Sequence, residues 1–169
     1  MEIRHNKGFN LFELLIVLAI VSILAIVAVP SFLNYLQTNR LIGATQGLYY
    51  ALQYARGTAM KTDSTIYVSF QTGNNWCYGI NSGSACTCST ANSCKLGSTQ
   101  APNAGQLTLS ATGLTANSLQ FEPNHGAADA SSTITLTITG QSTAMSIQVG
   151  LLGSLFLCSS QLAGYQSCS

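Results

Sequence analysis

The sequence predicts an α+β protein. A long N-terminal helix, transmembrane in its first half and amphipathic in its second, packs on an antiparallel β-sheet domain stabilised by disulfides. Three observations predict this. Residues 14–29 hold fifteen apolar side chains and one serine, Ser22. A stripe at helical spacing follows without a breaker, and beyond Lys61 the period changes to two. The 169 residues suffice for one domain with a modest core. Only 7% are charged and the formal net charge is +1, which excludes a strongly basic nucleic-acid binder and an acidic disordered tail.

With Pro30, Ser31, Phe32 and Leu33 the apolar run reaches the roughly 20 residues that cross about 30 Å of hydrocarbon. Arg4 and Lys7 precede it, an order that keeps the N-terminus in the cytoplasm and sends the rest outward. A secretory signal cleaved at Ala28 is the competing reading. Two features oppose it. Glu13 stands at the head of the run, where an isolated carboxylate is costly unless paired. The helical pattern also continues past Pro30, which removes one backbone donor and kinks a helix rather than ending it.

In the second half, residues 34–61, the residues Leu41, Thr45, Leu48, Leu52, Ala55 and Ala59 recur at spacings of four and three and mark one buried face. A helix from Phe9 to about Met60 would be about 78 Å long, too long for one small globule. Gly43, Gly47 and Gly57 each weaken it by up to about 1 kcal/mol, so packing must help hold it. Tyr50 and Tyr54, four apart, are expected in the core or at its rim rather than on an interaction face.

Period-two alternation marks the strands. The clearest run from Thr133 to Thr139, with Ile134, Leu136 and Ile138 on one face. Ile66, Val68 and Phe70 alternate likewise, as do Met145, Ile147 and Val149, with Leu155–Leu157 a short partner. Weaker candidates are Trp76–Ile80, Gln106–Ser110 and Ser118–Phe121. One sheet of about five to seven short strands is expected, within the usual range, and residues 81–105 read as a loop. Six cysteines, Cys77, Cys86, Cys88, Cys94, Cys158 and Cys168, all lie in this part and point to an oxidising compartment. The paired CxxC spacing of a zinc knuckle is missing, so disulfides are expected and no metal. Six cysteines allow fifteen pairings. Cys158 with Cys168 is the simplest and ties the tail to the last strand; the other four pin the long loop, Cys86 and Cys88 taking different partners.

No catalytic constellation can be named. His125 sits in a turn-like stretch, the acids Glu13, Asp63, Glu122 and Asp129 show no paired spacing, and no glycine-rich phosphate loop or other cofactor motif is present. A non-enzymatic protein without a cofactor is expected.

Lys7-Gly8-Phe9-Asn10-Leu11-Phe12-Glu13 and the apolar run after it resemble the class III signal of type IV pilins and type II secretion pseudopilins. The run Leu48 to Ala59, with Leu48, Ala51, Leu52, Ala55, Arg56 and Ala59, resembles the L-x-x-A-L-x-x-A-R-x-x-A segment of the FimT/FimU/GspH group. The resemblance implies a leader of residues 1–8, cut between Gly8 and Phe9 by the prepilin peptidase, and N-methylation of Phe9. It also implies an assembly and transmembrane half-helix of residues 9–33, an amphipathic half of 34–61 and a periplasmic head of 62–169. Glu13 would then pair with the amine of a neighbouring subunit; merely snorkelling to the headgroups is the plainer role. The location implied is the inner membrane, single pass, and afterwards the pilus on the cell surface. The function implied is that of a minor pilin helping to initiate or cap a filament that serves adhesion, twitching or DNA uptake, with a secretion pseudopilin as one alternative and a DNA-binding competence pilin, weakened by the residues below, as another. DNA-binding members carry G-R-x-R before a C-terminal cysteine. Here Gly153 and Cys158 flank Ser154 and Phe156 at the arginine positions, so the phosphate contacts are lost and DNA is not expected as a partner.

Overall fold

The computed structural model describes residues 10–101 and 105–168. The chain divides into two compact units, Met1–Leu36 and Gln37–Ser169. Helix α1 spans Leu11–Thr62. Asn10 caps its start: its Oδ1 accepts the Phe12 amide at 3.3 Å, satisfying a donor that has no intrahelical partner. In the first unit the described apolar side chains from Leu11 to Leu33 are exposed. Ser22, the lone polar residue of the run, donates its hydroxyl to the Ala19 carbonyl at 2.8 Å and so keeps its polar group satisfied within the helix. The helix continues through Pro30.

In the second unit the helical stripe is the centre of the core. Leu41, Thr45, Leu48, Leu52, Ala55 and Ala59 are all fully buried. Thr45 is tolerated there because its hydroxyl bonds back to the Leu41 carbonyl at 2.8 Å. Each buried leucine stabilises by about 1.5–3 kcal/mol, which outweighs the three helix glycines. Tyr50 and Tyr54 differ from expectation: they are 67% and 54% exposed. The helix turns 100° per residue, so positions two beyond Leu48 and Leu52 land on the opposite face.

The helix ends in a Schellman motif. Asp63 takes the left-handed conformation (φ 49°) and the Ser64 amide bonds to the Ala59 carbonyl at 3.4 Å. Asp63 is poorly suited to this place, carrying a Cβ and placing an anion at the negative end of the helix dipole. Asp63→Gly is expected to raise stability by about 1 kcal/mol; a lower melting temperature would refute this account of the cap.

Among the described residues eight strands follow: β1 (Ile66–Gln71), β2 (Cys77–Ser82), β3 (Gly97–Gln100), β4 (Leu107–Thr112), β5 (Ser118–Phe121), β6 (Ser132–Ile138), β7 (Ala144–Val149) and β8 (Leu155–Cys158). They form two four-stranded antiparallel sheets, ordered β3-β2-β1-β5 and β4-β6-β7-β8. The expected single sheet is therefore two, and the expected loop of residues 81–105 contains a strand. Strand β3 left no signal because all four of its residues, Gly-Ser-Thr-Gln, are exposed, and only pairing of its backbone with β2 defines it. The sheets meet where Gly73 and Leu109 exchange backbone hydrogen bonds of 2.8 and 3.1 Å. Their inner faces, with Ile66, Val68, Phe121, Ile134, Leu136 and Ile147, join the helical stripe in one core.

Candidate functional site

The residues singled out by sequence fall in three places. Gly8 and Phe9, the expected cleavage junction, lie outside the described residues. Glu13 occupies the first turn of α1, exposed, three positions after the Asn10 cap. An acid there interacts favourably with the positive end of the helix dipole and completes the pattern of a capping box. Asn10 was not among the candidates, although Asn followed three residues later by Glu before an apolar run is a readable start signal. Together these two residues mark the start of the apolar helix. Pro30 lies inside that helix, which is long and apolar enough to cross a membrane.

The six cysteines form three disulfides, Cys77–Cys88, Cys86–Cys94 and Cys158–Cys168. All six thiols are thereby consumed. The first two bridges fold the segment after β2 back over the outer face of the first sheet. There the Cys86 amide bonds to the Ser69 hydroxyl at 3.0 Å and the Lys95 amide to the Asn81 side chain at 3.3 Å. This explains why Ser69 and Asn81, outward-facing in their strands, are buried. Gly79 lies beneath the Cys86–Cys94 bridge, so close that a Cβ would collide with the Cys94 sulfur. The third bridge returns the tail to β8, where the Ser159 amide bonds to the Gln166 carbonyl at 2.9 Å. The tail also reaches the helix: Gln46 donates to the Tyr165 hydroxyl at 3.2 Å.

A third cluster was not anticipated in this role. Arg56 of α1 extends to two chain reversals, donating from Nε to the Gly126 carbonyl at 3.2 Å and from Nη2 to the Leu152 carbonyl at 3.5 Å. Gly126 (φ 63°) and Gly153 (φ 73°) both need the left-handed region, and a Cβ on Gly153 would overlap the Gly126 carbonyl. One arginine thus ties helix, β5–β6 link and β7–β8 turn together. His125, in that link, is exposed, and the turn there is closed by the Gly126 amide on the Glu122 carbonyl at 3.0 Å.

A capped apolar helix leading to a disulfide-bridged head of two small antiparallel sheets is the architecture of a type IV pilin-like subunit. The chain belongs to the family described as type II transport protein GspH, whose model matches residues 44–153. The prokaryotic N-terminal methylation motif matches residues 3–29. The fold is similar to that of the type IV minor pilin FimU of Pseudomonas aeruginosa, strain PAO1. In one crystal form the TM-score is 0.57 at 19% identity, over 75% of this chain and 97% of that one. In a second it is 0.53 at 19% identity, over 72% and 98%. No curated protein matches the chain.

Proposed function

We propose that the protein is a minor pilin: a non-enzymatic subunit that enters a type IV pilus through its N-terminal helix and helps to initiate or cap the filament. The observation that carries this reading is a carboxylate, Glu13, in the first turn of an exposed apolar helix joined to a folded head. After cleavage between Gly8 and Phe9 by the prepilin peptidase, the new amine of Phe9, N-methylated, is a cation at the membrane. Glu13 is an anion in low dielectric. Each is costly alone and both costs fall when the amine of one subunit meets the carboxylate of the next. The rest of the assembly energy comes from packing of apolar helices against each other. In this reading the chain waits in the inner membrane with its head in the periplasm before assembly.

Membership of the GspH family favours a second reading, a secretion pseudopilin. Loss of surface pili on gene deletion supports the first, loss of protein secretion with intact pili the second. We assign no DNA role. Ser154 and Phe156 put no cation beside β8 to meet phosphate, and capture of phosphate backbones depends on such cations.

The test is incorporation of Glu13→Ala into filaments sheared from the native host, with sequencing of the subunit N-terminus. At least about a tenfold loss from the filament fraction is expected, corresponding to about 1.4 kcal/mol of lost pairing, while the unaltered chain begins at a methylated Phe9. Equal incorporation of the variant, or a subunit that still begins at Met1, defeats the proposal.

A further inference from the structure

The outer face of the second sheet carries a cleft lined by residues of all four of its strands. Strand register aligns Thr112 with Thr133, Thr133 with Gln148, and Gln148 with Phe156, one row across β4, β6, β7 and β8. Directly opposed residues share a face of a sheet. Their neighbours along the strands, Ile134, Ile147 and Val149, are buried on the other face, so this row looks outward. Ser131 and Ser154, from the turns at the strand ends, close the sides around a volume of about 410 Å³. That lies within the roughly 300–1,000 Å³ typical of small-molecule sites.

Three properties define what fits. No lining side chain is charged, so the cleft offers no countercharge to a phosphate or a carboxylate. Its polar side chains are hydroxyls and one amide, which both donate and accept hydrogen bonds. Phe156 is 58% exposed at the rim, on the edge strand of its sheet, a flat apolar ring turned to solvent. A ligand with an apolar C–H face and a girdle of neutral hydroxyls complements such a surface. We infer that this cleft binds a neutral saccharide. One sugar ring stacks on Phe156, and its hydroxyls bond to the Thr133 hydroxyl and donate to that of Thr112, whose own proton goes to the Thr133 carbonyl at 3.5 Å. For one shallow, uncharged site a millimolar affinity is expected, about 4 kcal/mol.

The probes are lactose, cellobiose and maltose, titrated into the full chain in micelles of a zwitterionic detergent that lacks a sugar headgroup. NMR reads saturable shifts of the amides of residues 131–133 and 148–156. At least one disaccharide is expected to saturate these shifts. Phe156→Ala is expected to weaken it about tenfold, the 1.4 kcal/mol of a lost stacking contact, and Phe156→Tyr to restore it. Leu152→Ser, which alters an exposed side chain outside the cleft, is expected to change nothing. A glycan array separates free sugar from surface glycan: retention on neutral glycans extends the site to a cell-surface ligand, and retention only on sialylated or sulfated glycans overturns it. Absence of saturable shifts with all three sugars overturns it, as does binding that Phe156→Ala leaves intact. Because Phe156 is exposed, an unchanged melting temperature of the alanine variant shows that lost binding is not lost folding.

Discussion

Gly153→Ala is expected to destabilise the head by about 4 kcal/mol. Gly153 holds a φ of 73°, in a turn closed by its own amide on the Gly150 carbonyl at 2.8 Å. An alanine there costs about 1–2 kcal/mol for the left-handed backbone alone. The new methyl would also strike the Gly126 carbonyl and the Arg56 guanidinium, which are already in contact through a 3.2 Å hydrogen bond. Overpacking of this kind costs about 1–3 kcal/mol, and the disturbed bonds from a charged donor add to it. Equilibrium denaturation measures the total. Arg56→Ala provides the control, because it removes one of the two groups the methyl strikes. The double variant should therefore lose less than the sum of the two single losses, by at least about 0.5 kcal/mol of coupling. If Gly153→Ala unfolds at the same denaturant concentration as the parent, the three segments are not locked together as described.

Replacing Cys77 and Cys88 together by alanine is expected to cost about 3–5 kcal/mol, more than replacing Cys158 and Cys168. The sequence separations are 11 and 10, so loop-closure entropy alone predicts nearly equal losses of about 3 kcal/mol. Burial distinguishes the bridges. Cys77 and Cys88 are 1% and 4% exposed, and their bridge ties the covering segment to the first sheet; in the other bridge Cys158 is as buried, at 3%. Cys168 is exposed and holds only a tail. Losing the first bridge therefore also uncovers Ser69 and Asn81 and the backbone bonds they receive from that segment. Unfolding in non-reducing denaturant ranks the pairs. Equal losses would show that only chain entropy matters and that the covering segment adds nothing.

Much of this molecule was legible before any coordinates. The apolar run, the stripe from Leu41 to Ala59 and the alternation of Thr133–Thr139 each repeat with the period of their own local geometry. Period alone therefore placed the helix, its buried face and most strands. The residues before Glu13 were equally readable as a linear motif, the methylation motif that matches residues 3–29. Strand β3 was not legible: with no buried side chain it carries no period, and its existence depends on the backbone of β2. Nor could Tyr50 and Tyr54 be placed by their own spacing; only their phase relative to Leu48 and Leu52 sets them on the outer face.

The amino-acid order thus determined what depends on neighbours within a few turns or strand residues: an anchor-length apolar helix with a carboxylate at its head, a core-facing stripe, and a cysteine-rich β head. Tertiary packing decided what depends on residues distant in sequence. It divided eight strands between two sheets, drew the cysteine segment over one of them, and set Thr112, Thr133, Gln148 and Phe156 in one row. It also brought Arg56 to carbonyls 70 and 96 residues away. The physical reason is that a periodic pattern specifies which face of an element is buried, whereas the element it is buried against follows only from how all the faces close on one core.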